Sequence, residues 1–172
     1  WDDLFFTTGS GNLRHFGKQN WWHLPQLNQL YLNRQGQYFE NVSARLGSEV
    51  ASFSLACLVD DLDQDGYLDL IVGNKGKNQL FQNQQGNQFQ LVKDAFSEDP
   101  AAFTTAILLK DLDGDQQDEL LFGNYVSFVQ NQNMLELNAG YANFKESNFD
   151  VTFFDAQPDQ LYRKIAPLHY QL

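Results

Sequence analysis

The chain repeats itself at an interval of about 50 residues, and this periodicity restricts its possible folds more than any other feature. The matched stretches are 61–65 with 111–115, 70–74 with 120–124, and 28–33 with 78–83. The last pair shares an Asn-x-Leu-aromatic-x-Asn motif, followed in both copies by Gly, Phe and Val at the same spacing. Repeats of this length are typical of solenoids, propellers and related arrays, in which each repeat is one supersecondary unit.

One period contains four short apolar stretches separated by turn residues, which predicts four strands at about 53–59, 68–73, 78–82 and 88–92. The aromatic content (15 Phe, 7 Tyr and 3 Trp) also favours β structure. Four antiparallel strands in each repeat of this length indicate an all-β fold of β-propeller blades. A linear β-solenoid is the alternative architecture, but its coils are shorter and lack hairpins.

We predict a single partial propeller of about three blades within residues 1–172. The expected units are about 1–42, 43–92, 93–144 and a degenerate unit at 145–172. The first unit starts inside a motif, with Asp3 aligned to Asp69. Because a closed propeller needs at least four blades, we expect the remaining blades to come from the parent chain or from another chain.

The third and last units are the least regular. Residues 133–138 and Phe144 continue the repeat and are predicted to complete the third unit. In the tail, Asp155, Gln157 and Asp159 can be aligned with positions 1, 3 and 5 of an acidic loop, and Arg163 with position 9. We therefore predict a decayed blade without calcium at 145–172.

The loop 61–69 is the clearest candidate for a ligand-binding site. It places aspartates at positions 1, 3, 5 and 9, a glycine at position 6 and an apolar strand directly after the loop. Alternate carboxylates on a tight turn converge on one point, and Ca²⁺ prefers such oxygen ligands. The expected ligands are Asp61, Asp63, Asp65, Asp69 and the carbonyl of Tyr67. A solvated acidic turn without an ion is the alternative.

An EF-hand does not fit this loop. The EF-hand loop has twelve residues and ends in a bidentate glutamate, whereas the twelfth position here is Val72. The flanking residues also predict strands rather than helices.

The second acidic loop has the same spacing with two changes. Its carboxylates are Asp111, Asp113, Asp115 and Glu119, and Gln116 replaces the glycine at position 6. If position 6 requires a left-handed backbone, a glutamine there costs about 1 kcal/mol. We therefore expect a second calcium site with lower affinity than the first.

Two further features lead to predictions. The insertion at 9–27 carries Trp21, Trp22 and His23, which could bind a partner, although the tryptophans could equally pack against the open edge of the first unit. Cys57 aligns with Ile107 on the strand before each loop, so we predict a small buried hydrophobic residue there.

Composition excludes several classes of function. The chain has 11 basic and 22 acidic residues and a net charge of −11, which disfavours binding to nucleic acid or to an anionic membrane. It has no apolar stretch of about 20 residues, so no membrane span is expected. No nucleophile-base pattern, phosphate-binding loop or zinc spacing is present, so we predict that the chain is not an enzyme.

These motifs resemble the FG-GAP/VCBS repeats, which are found in integrin α-subunit propellers and in secreted proteins. The most similar kind occurs alongside ASPIC/UnbV domains, and the resemblance covers roughly residues 1–144. It implies a calcium-stabilised β-propeller in which each ion lies between the first two strands of a blade. By position it adds the carbonyl of Gln117 to the ligands of the second loop.

The resemblance also implies a class of function. We expect a non-catalytic, integrin-like calcium-binding scaffold that mediates protein or glycan interaction, or cell adhesion. It would act in an extracytoplasmic location, whether secreted, on the cell surface or periplasmic. The alternatives are a glycan-binding lectin, which predicts aromatic-lined clefts between blades, and a non-catalytic part of a polysaccharide-active enzyme.

Overall fold

The computed structural model describes residues 2–8, 27–47, 53–97, 102–125 and 156–172. Within these ranges the chain forms strands, turns and one short 3-10 helix, Ser43–Leu46. The strands are β1 (Leu4–Phe6), β2 (Gln29–Asn33), β3 (Phe39–Asn41), β4 (Ser54–Asp60), β5 (Asp69–Gly76), β6 (Gln79–Asn83), β7 (Phe89–Leu91), β8 (Ala102–Lys110), β9 (Glu119–Asn124), β10 (Gln160–Ala166) and β11 (His169–Gln171). The prediction of an all-β fold is confirmed.

The second unit is a complete four-stranded blade. Strands β4, β5, β6 and β7 pair with one another in chain order, and every pair is antiparallel. Their bounds agree with the predicted strands to within a few residues. A turn that contains Gly86 joins β6 to β7, as the hairpin motif predicts.

The third unit is also a four-stranded blade, but its last two strands come from the tail. Strand β10 pairs with β9 through Leu120 with Tyr162, and β11 pairs with β10. The register equals that of the second blade, where Leu70 pairs with Phe81. The prediction that residues 145–172 include a separate degenerate unit is therefore wrong for the described part of the tail.

The alignment of Asp159 and Arg163 with an acidic loop is wrong for the same reason. Asp159 precedes β10 and accepts a hydrogen bond from the backbone N–H of Asn124 at 2.9 Å. Asn78, which precedes β6, accepts the equivalent bond from Asn74 at 2.9 Å. Asp159 is thus the counterpart of Asn78. The predicted third-unit strands at 133–144 lie outside the described residues.

The first unit contributes β1, β2 and β3, which form a three-stranded antiparallel sheet. Asp3 Oδ1 accepts a hydrogen bond from the backbone N–H of Asn33 at 2.8 Å, as Asp69 Oδ1 does from Asn83 at 2.8 Å. These bonds confirm that Asp3 occupies the position that Asp69 holds in the second unit.

Apolar side chains fill the spaces between neighbouring blades, and β5 contributes to both spaces. Leu70 and Val72 pack in a cluster with residues of the first unit, whereas Ile71 packs in a cluster with residues of the third. Successive side chains of a strand point to opposite faces, so a strand buried on both faces has a continuous apolar sequence. The first cluster comprises Leu30, Val42, Leu46, Leu70, Val72 and Phe81. The second comprises Leu62, Ile71, Leu80, Ala95, Phe96, Leu120, Phe122, Tyr162, Leu168 and Tyr170.

Buried polar side chains also connect each blade to the next. Asn28 Nδ2 donates to Ser54 Oγ at 2.9 Å, and Asn78 Nδ2 donates to Thr104 Oγ1 at 3.0 Å. Ser54 Oγ donates in turn to Asn74 Oδ1 at 2.7 Å. All of these residues are buried. Since an unpaired buried polar group is costly, the bonds fix the register of adjacent blades.

Cys57 does not have the predicted environment, because its side chain is exposed. It pairs with Val72 across the β4–β5 ladder and therefore lies on the face directed toward the first unit. That unit has three strands, β1 to β3, in the described part of the chain, and they leave this part of β4 uncovered.

The close contact between the second and third blades predicts an asymmetric effect of two matched substitutions. A Cβ at Gly73 would lie 2.8 Å from Thr104 Cγ2 of the third blade and 3.2 Å from Ala56 Cβ. A Cβ at the equivalent Gly123 would meet Ala106 Cβ at 3.2 Å and, among the described residues, no side chain of another blade within 4 Å. We expect Gly73→Ala to lower the free energy of unfolding by about 1–3 kcal/mol, and Gly123→Ala by less. Urea denaturation of both variants measures the difference, and equal losses would contradict this account of the contact.

Candidate metal centre

The two acidic loops occupy equivalent places in their blades. The first joins β4 to β5 and the second joins β8 to β9, so each connects the first two strands of a blade. Carboxylate oxygens of Asp61, Asp63 and Asp69 lie within 4.8 Å of one another in the first loop. In the second loop Asp111, Asp113 and Asp115 form such a group. Asp65 and Glu119 are not members of these groups.

Hydrogen bonds within the first loop orient its carboxylates. The backbone N–H of Asp65 donates to Asp61 Oδ1 at 3.0 Å and to Asp63 Oδ1 at 3.2 Å. The N–H of Gly66 donates to Asp61 Oδ2 at 3.0 Å, and that of Tyr67 donates to Asp65 Oδ1 at 2.9 Å. The loop is thus wrapped around its own side chains, which places several acceptor oxygens close together.

The second loop repeats this network. The backbone N–H of Asp115 donates to Asp113 Oδ1 at 3.2 Å, and that of Gln116 donates to Asp111 Oδ2 at 3.0 Å. The N–H of Gln117 donates to Asp115 Oδ1 at 2.8 Å. The two loops therefore share three hydrogen bonds at equivalent positions. They differ at Oδ1 of the first aspartate, which accepts from the N–H of Asp65 in the first loop and from the N–H of Gly114 at 2.6 Å in the second.

The carboxylate at position 9 links the loop to the sheet. Asp69 is fully buried, and its Oδ2 accepts a bond from the N–H of Leu62 at 3.2 Å while Oδ1 accepts the bond from Asn83. Burial raises the pKa of Asp69. The hydrogen bond from the N–H of Asn83 lowers this pKa, and the negative charge of Asp63 raises it further. A buried carboxylate near other carboxylates is the kind of group that a bound cation stabilises.

Residues 61–122 match the family model described as an FG-GAP-like repeat. This stretch is an FG-GAP-like repeat. It begins at the first aspartate of the first loop, ends in β9, and so contains both acidic loops. No match was found among curated proteins.

Both loops of the FG-GAP-like repeat require a left-handed backbone at two positions. Gln64 has φ 63° and Gly66 has φ 90°, while Gly114 has φ 85° and Gln116 has φ 72°. The expected left-handed conformation of Gln116 is confirmed. The second loop is not the more strained of the two, because it has glycine at position 4, where the first loop has Gln64. Considering positions 4 and 6 together in the sequence would have revealed this exchange.

The third strand of each blade supplies a contact that the sequence analysis missed. Gln82 Nε2 of β6 donates to Asp63 Oδ2 at 2.7 Å, and an Arg163 guanidinium nitrogen of β10 lies 3.2 Å from Asp113 Oδ2. The signal was present in the sequence. Residues 159–162 (Asp-Gln-Leu-Tyr) resemble residues 78–81 (Asn-Gln-Leu-Phe) of the FG-GAP-like repeat, which aligns Arg163 with Gln82.

A cleft of about 410 Å³ lies between the two loops and is predominantly polar. Its lining includes Asp61, Asp63, Asp118, Lys164 and Tyr170. Lys164 Nζ donates to the carbonyl oxygen of Leu62 in the first loop. Burial and the nearby carboxylates, Asp69 foremost, raise the pKa of Tyr170 to about 12. Among the described residues, Tyr170 is the aromatic residue that lines this cleft. The cleft between the first and second units, by contrast, includes Phe5, Tyr67 and Phe89.

The predicted partner-binding residues lie outside the described residues; they are Trp21, Trp22 and His23. Nowhere in the described part of the chain does a helix reach the length and hydrophobicity needed to cross a membrane.

Proposed function

We propose that the chain is a non-catalytic scaffold whose two acidic loops bind structural Ca²⁺. The observation that supports this most strongly is a cluster of three carboxylates in each of two loops at the same turn of adjacent blades, with positions 1 and 3 common to both clusters. The proposed ligands of the first site are Asp61, Asp63, Asp65, the carbonyl of Tyr67, and Asp69. Those of the second are Asp111, Asp113, Asp115, the carbonyl of Gln117, and Glu119.

The donor set favours calcium over other metals. Every proposed ligand is a carboxylate or carbonyl oxygen, which suits a hard cation, and no cysteine or histidine takes part. Calcium tolerates irregular coordination, whereas Mg²⁺ demands near-ideal octahedral geometry. A bound ion would neutralise the loop carboxylates. Since Asp69 also bonds to Asn83 at the end of β6, the ion would connect the loop to three strands of the blade.

The face of the third blade that is directed away from the second blade indicates what kind of partner the scaffold has. Leu62 and Leu80 of the second blade are 3% and 0% exposed, because the third blade covers them. Their counterparts Leu112 and Leu161 are 49% and 47% exposed. We propose that a further blade, from the parent chain or from another chain, covers this face. Association of that kind would bury the apolar surface as the existing contacts between blades do.

An extracytoplasmic location is part of this proposal. Extracellular calcium modules bind with dissociation constants of about 10⁻⁴ to 10⁻³ M, which suits partly exposed loops such as these. Of the four aspartates in the first loop, only Asp69 is buried. The scaffold would present its connecting loops to a protein or glycan partner, in adhesion or a related interaction.

Isothermal titration with calcium tests the metal sites directly. We expect two binding events in the wild-type protein and the loss of one in Asp61→Asn, because the substitution removes a central carboxylate from the first loop. Asp118→Asn is the matched control. It makes the same chemical change within the second loop, at a residue outside the acidic group, and we expect it to retain both events. Absence of calcium binding, or equal effects of the two substitutions, would refute the proposed sites.

A further inference from the structure

The two acidic loops differ in the charge of the side chain that reaches them from the third strand. Asp63 and Asp113 each use Oδ1 to accept the backbone N–H two residues later, at 3.2 Å in both loops. Each uses Oδ2 to contact the third strand. The partner is the neutral amide of Gln82 in the first loop and the guanidinium of Arg163 in the second.

The register of the sheets shows that these two partners are structurally equivalent. Phe81 pairs with Leu70, and Tyr162 pairs with Leu120, which is the counterpart of Leu70 one repeat later. Gln82 directly follows Phe81, and Arg163 directly follows Tyr162. The same strand position therefore contacts the same carboxylate oxygen in both blades, with a difference of one positive charge.

Other charges near the loops differ as well. Lys110 precedes the second loop where Asp60 precedes the first, and Asp118 adds a negative charge to the second loop only. Lys164 approaches the first loop, but its contact is with the carbonyl of Leu62 and not with a carboxylate. Arg163 differs from these residues because it forms an ion pair with a proposed calcium ligand.

We infer that Arg163 is a tethered cation, which partly neutralises the second loop and competes electrostatically with calcium there. The inference rests on the proposed function of the loops. It has two consequences. The second loop binds calcium more weakly than the first, and it depends less on calcium to hold its carboxylates together. The left-handed Gln116 does not by itself weaken the second site relative to the first, because each loop carries one left-handed glutamine. The charge is the remaining difference at this contact.

The size of the effect follows from the exposure of the ion pair. The Arg163 side chain is 74% exposed and that of Asp113 is 44% exposed, so water and salt screen the charge strongly. A screened unit charge beside a divalent ion then changes affinity by about fivefold to tenfold rather than by several orders of magnitude.

The test uses calcium titration in proteins with one functional loop. With the first loop silenced by Asp61→Asn, we expect Arg163→Gln to increase the calcium affinity of the second loop about fivefold to tenfold. Arg163→Lys, which retains the charge, should leave the affinity within about twofold. Lys164→Gln removes the same charge from the adjacent residue and should have a smaller effect on this loop. With the second loop silenced by Asp111→Asn, Gln82→Arg should weaken the first loop by a similar factor.

The possible outcomes separate the inference from the proposed function. If Arg163→Gln leaves the calcium affinity of the second loop unchanged, or if Lys164→Gln increases it equally, the proposed role of Arg163 is wrong. The proposed calcium sites are unaffected by that result. Absence of calcium binding in every protein overturns the proposed function. Thermal melting in a chelator then still tests the ion pair: Arg163→Gln should lower the Tm by about 1–3 °C and Arg163→Lys should not, because the pair stabilises the metal-free loop. No difference between these variants overturns the inference in the metal-free protein too.

Discussion

Calcium at about a hundredfold excess over its dissociation constant should raise the Tm of the metal-free protein by about 5–10 °C for each site that it fills. A ligand that binds only the folded state at this excess contributes about 2.7 kcal/mol for each site. In a chain of this size 1 kcal/mol shifts the Tm by about 2–4 °C. Differential scanning calorimetry with calcium and with a chelator measures the shift. Magnesium at the same concentration is the matched control and should give a smaller one.

The pH dependence of the metal-free protein provides a second measurement of the same site. The pKa of Asp69 in the folded state is above its ordinary value, so folding favours the protonated form of this carboxyl. Its stabilising contribution is therefore present below the ordinary aspartate pKa and is lost as the pH rises through the raised pKa. Calcium should reverse this trend, since the ion requires the ionised form and competes with the proton. An unchanged Tm with calcium at neutral pH would contradict a structural role for the ion.

The regular part of the repeat made much of the second blade and of both loops predictable. Local hydrogen bonds fix each loop, and residues close in sequence, such as Asp61 and Asp65, make those bonds. The hairpin of β6 and β7 is local for the same reason. Periodicity therefore predicted the strands and the turns of the second blade.

The third blade was harder to predict because its second and third strands are far apart in the chain. Residues 125–159 separate β9 from β10, so the interval of about 50 residues fails for the third strand. The tail could then be aligned with an acidic loop, although the Asp-Gln-Leu-Tyr sequence at 159–162 matches the start of β6. Pairing between strands does not depend on the length of the connection, since closing a longer loop adds little entropic cost.

Burial was unpredictable wherever it depends on a neighbouring blade. Leu62 and Leu112 occupy the same position in equivalent loops, yet their exposed fractions are 3% and 49%. A sequence pattern determines which face of a blade is apolar. It does not determine which element covers that face, and the exposure of Cys57 on the opposite side has the same origin.

Tyr162→Ala should have the largest effect of any single substitution considered for this chain, because Tyr162 joins the tail to the core between the second and third blades. Its side chain is fully buried, and its ring lies 5.5 Å from that of Phe122 and 5.8 Å from that of Phe96. Truncating a buried aromatic residue to alanine costs about 3–5 kcal/mol through lost burial and the resulting cavity. At about 2–4 °C per kcal/mol, the Tm should fall by roughly 6–20 °C.

Two control variants connect this loss to the pairing of β10 with β9. Tyr162→Phe retains the ring and should cost about 1 kcal/mol or less, since it keeps the ring contacts while it removes the hydrogen bond that the hydroxyl accepts from Gln160 Nε2. Leu161→Ala truncates the adjacent residue, whose side chain faces the opposite, uncovered side and is 47% exposed, so it should also cost far less than Tyr162→Ala. A tail that formed an independent unit would unfold in its own transition and leave the main transition unchanged in Tyr162→Ala. If a single transition shifts as a whole instead, β10 and β11 are part of the third blade. The lost contacts with Phe96 and Phe122 then weaken the core that the second and third blades share.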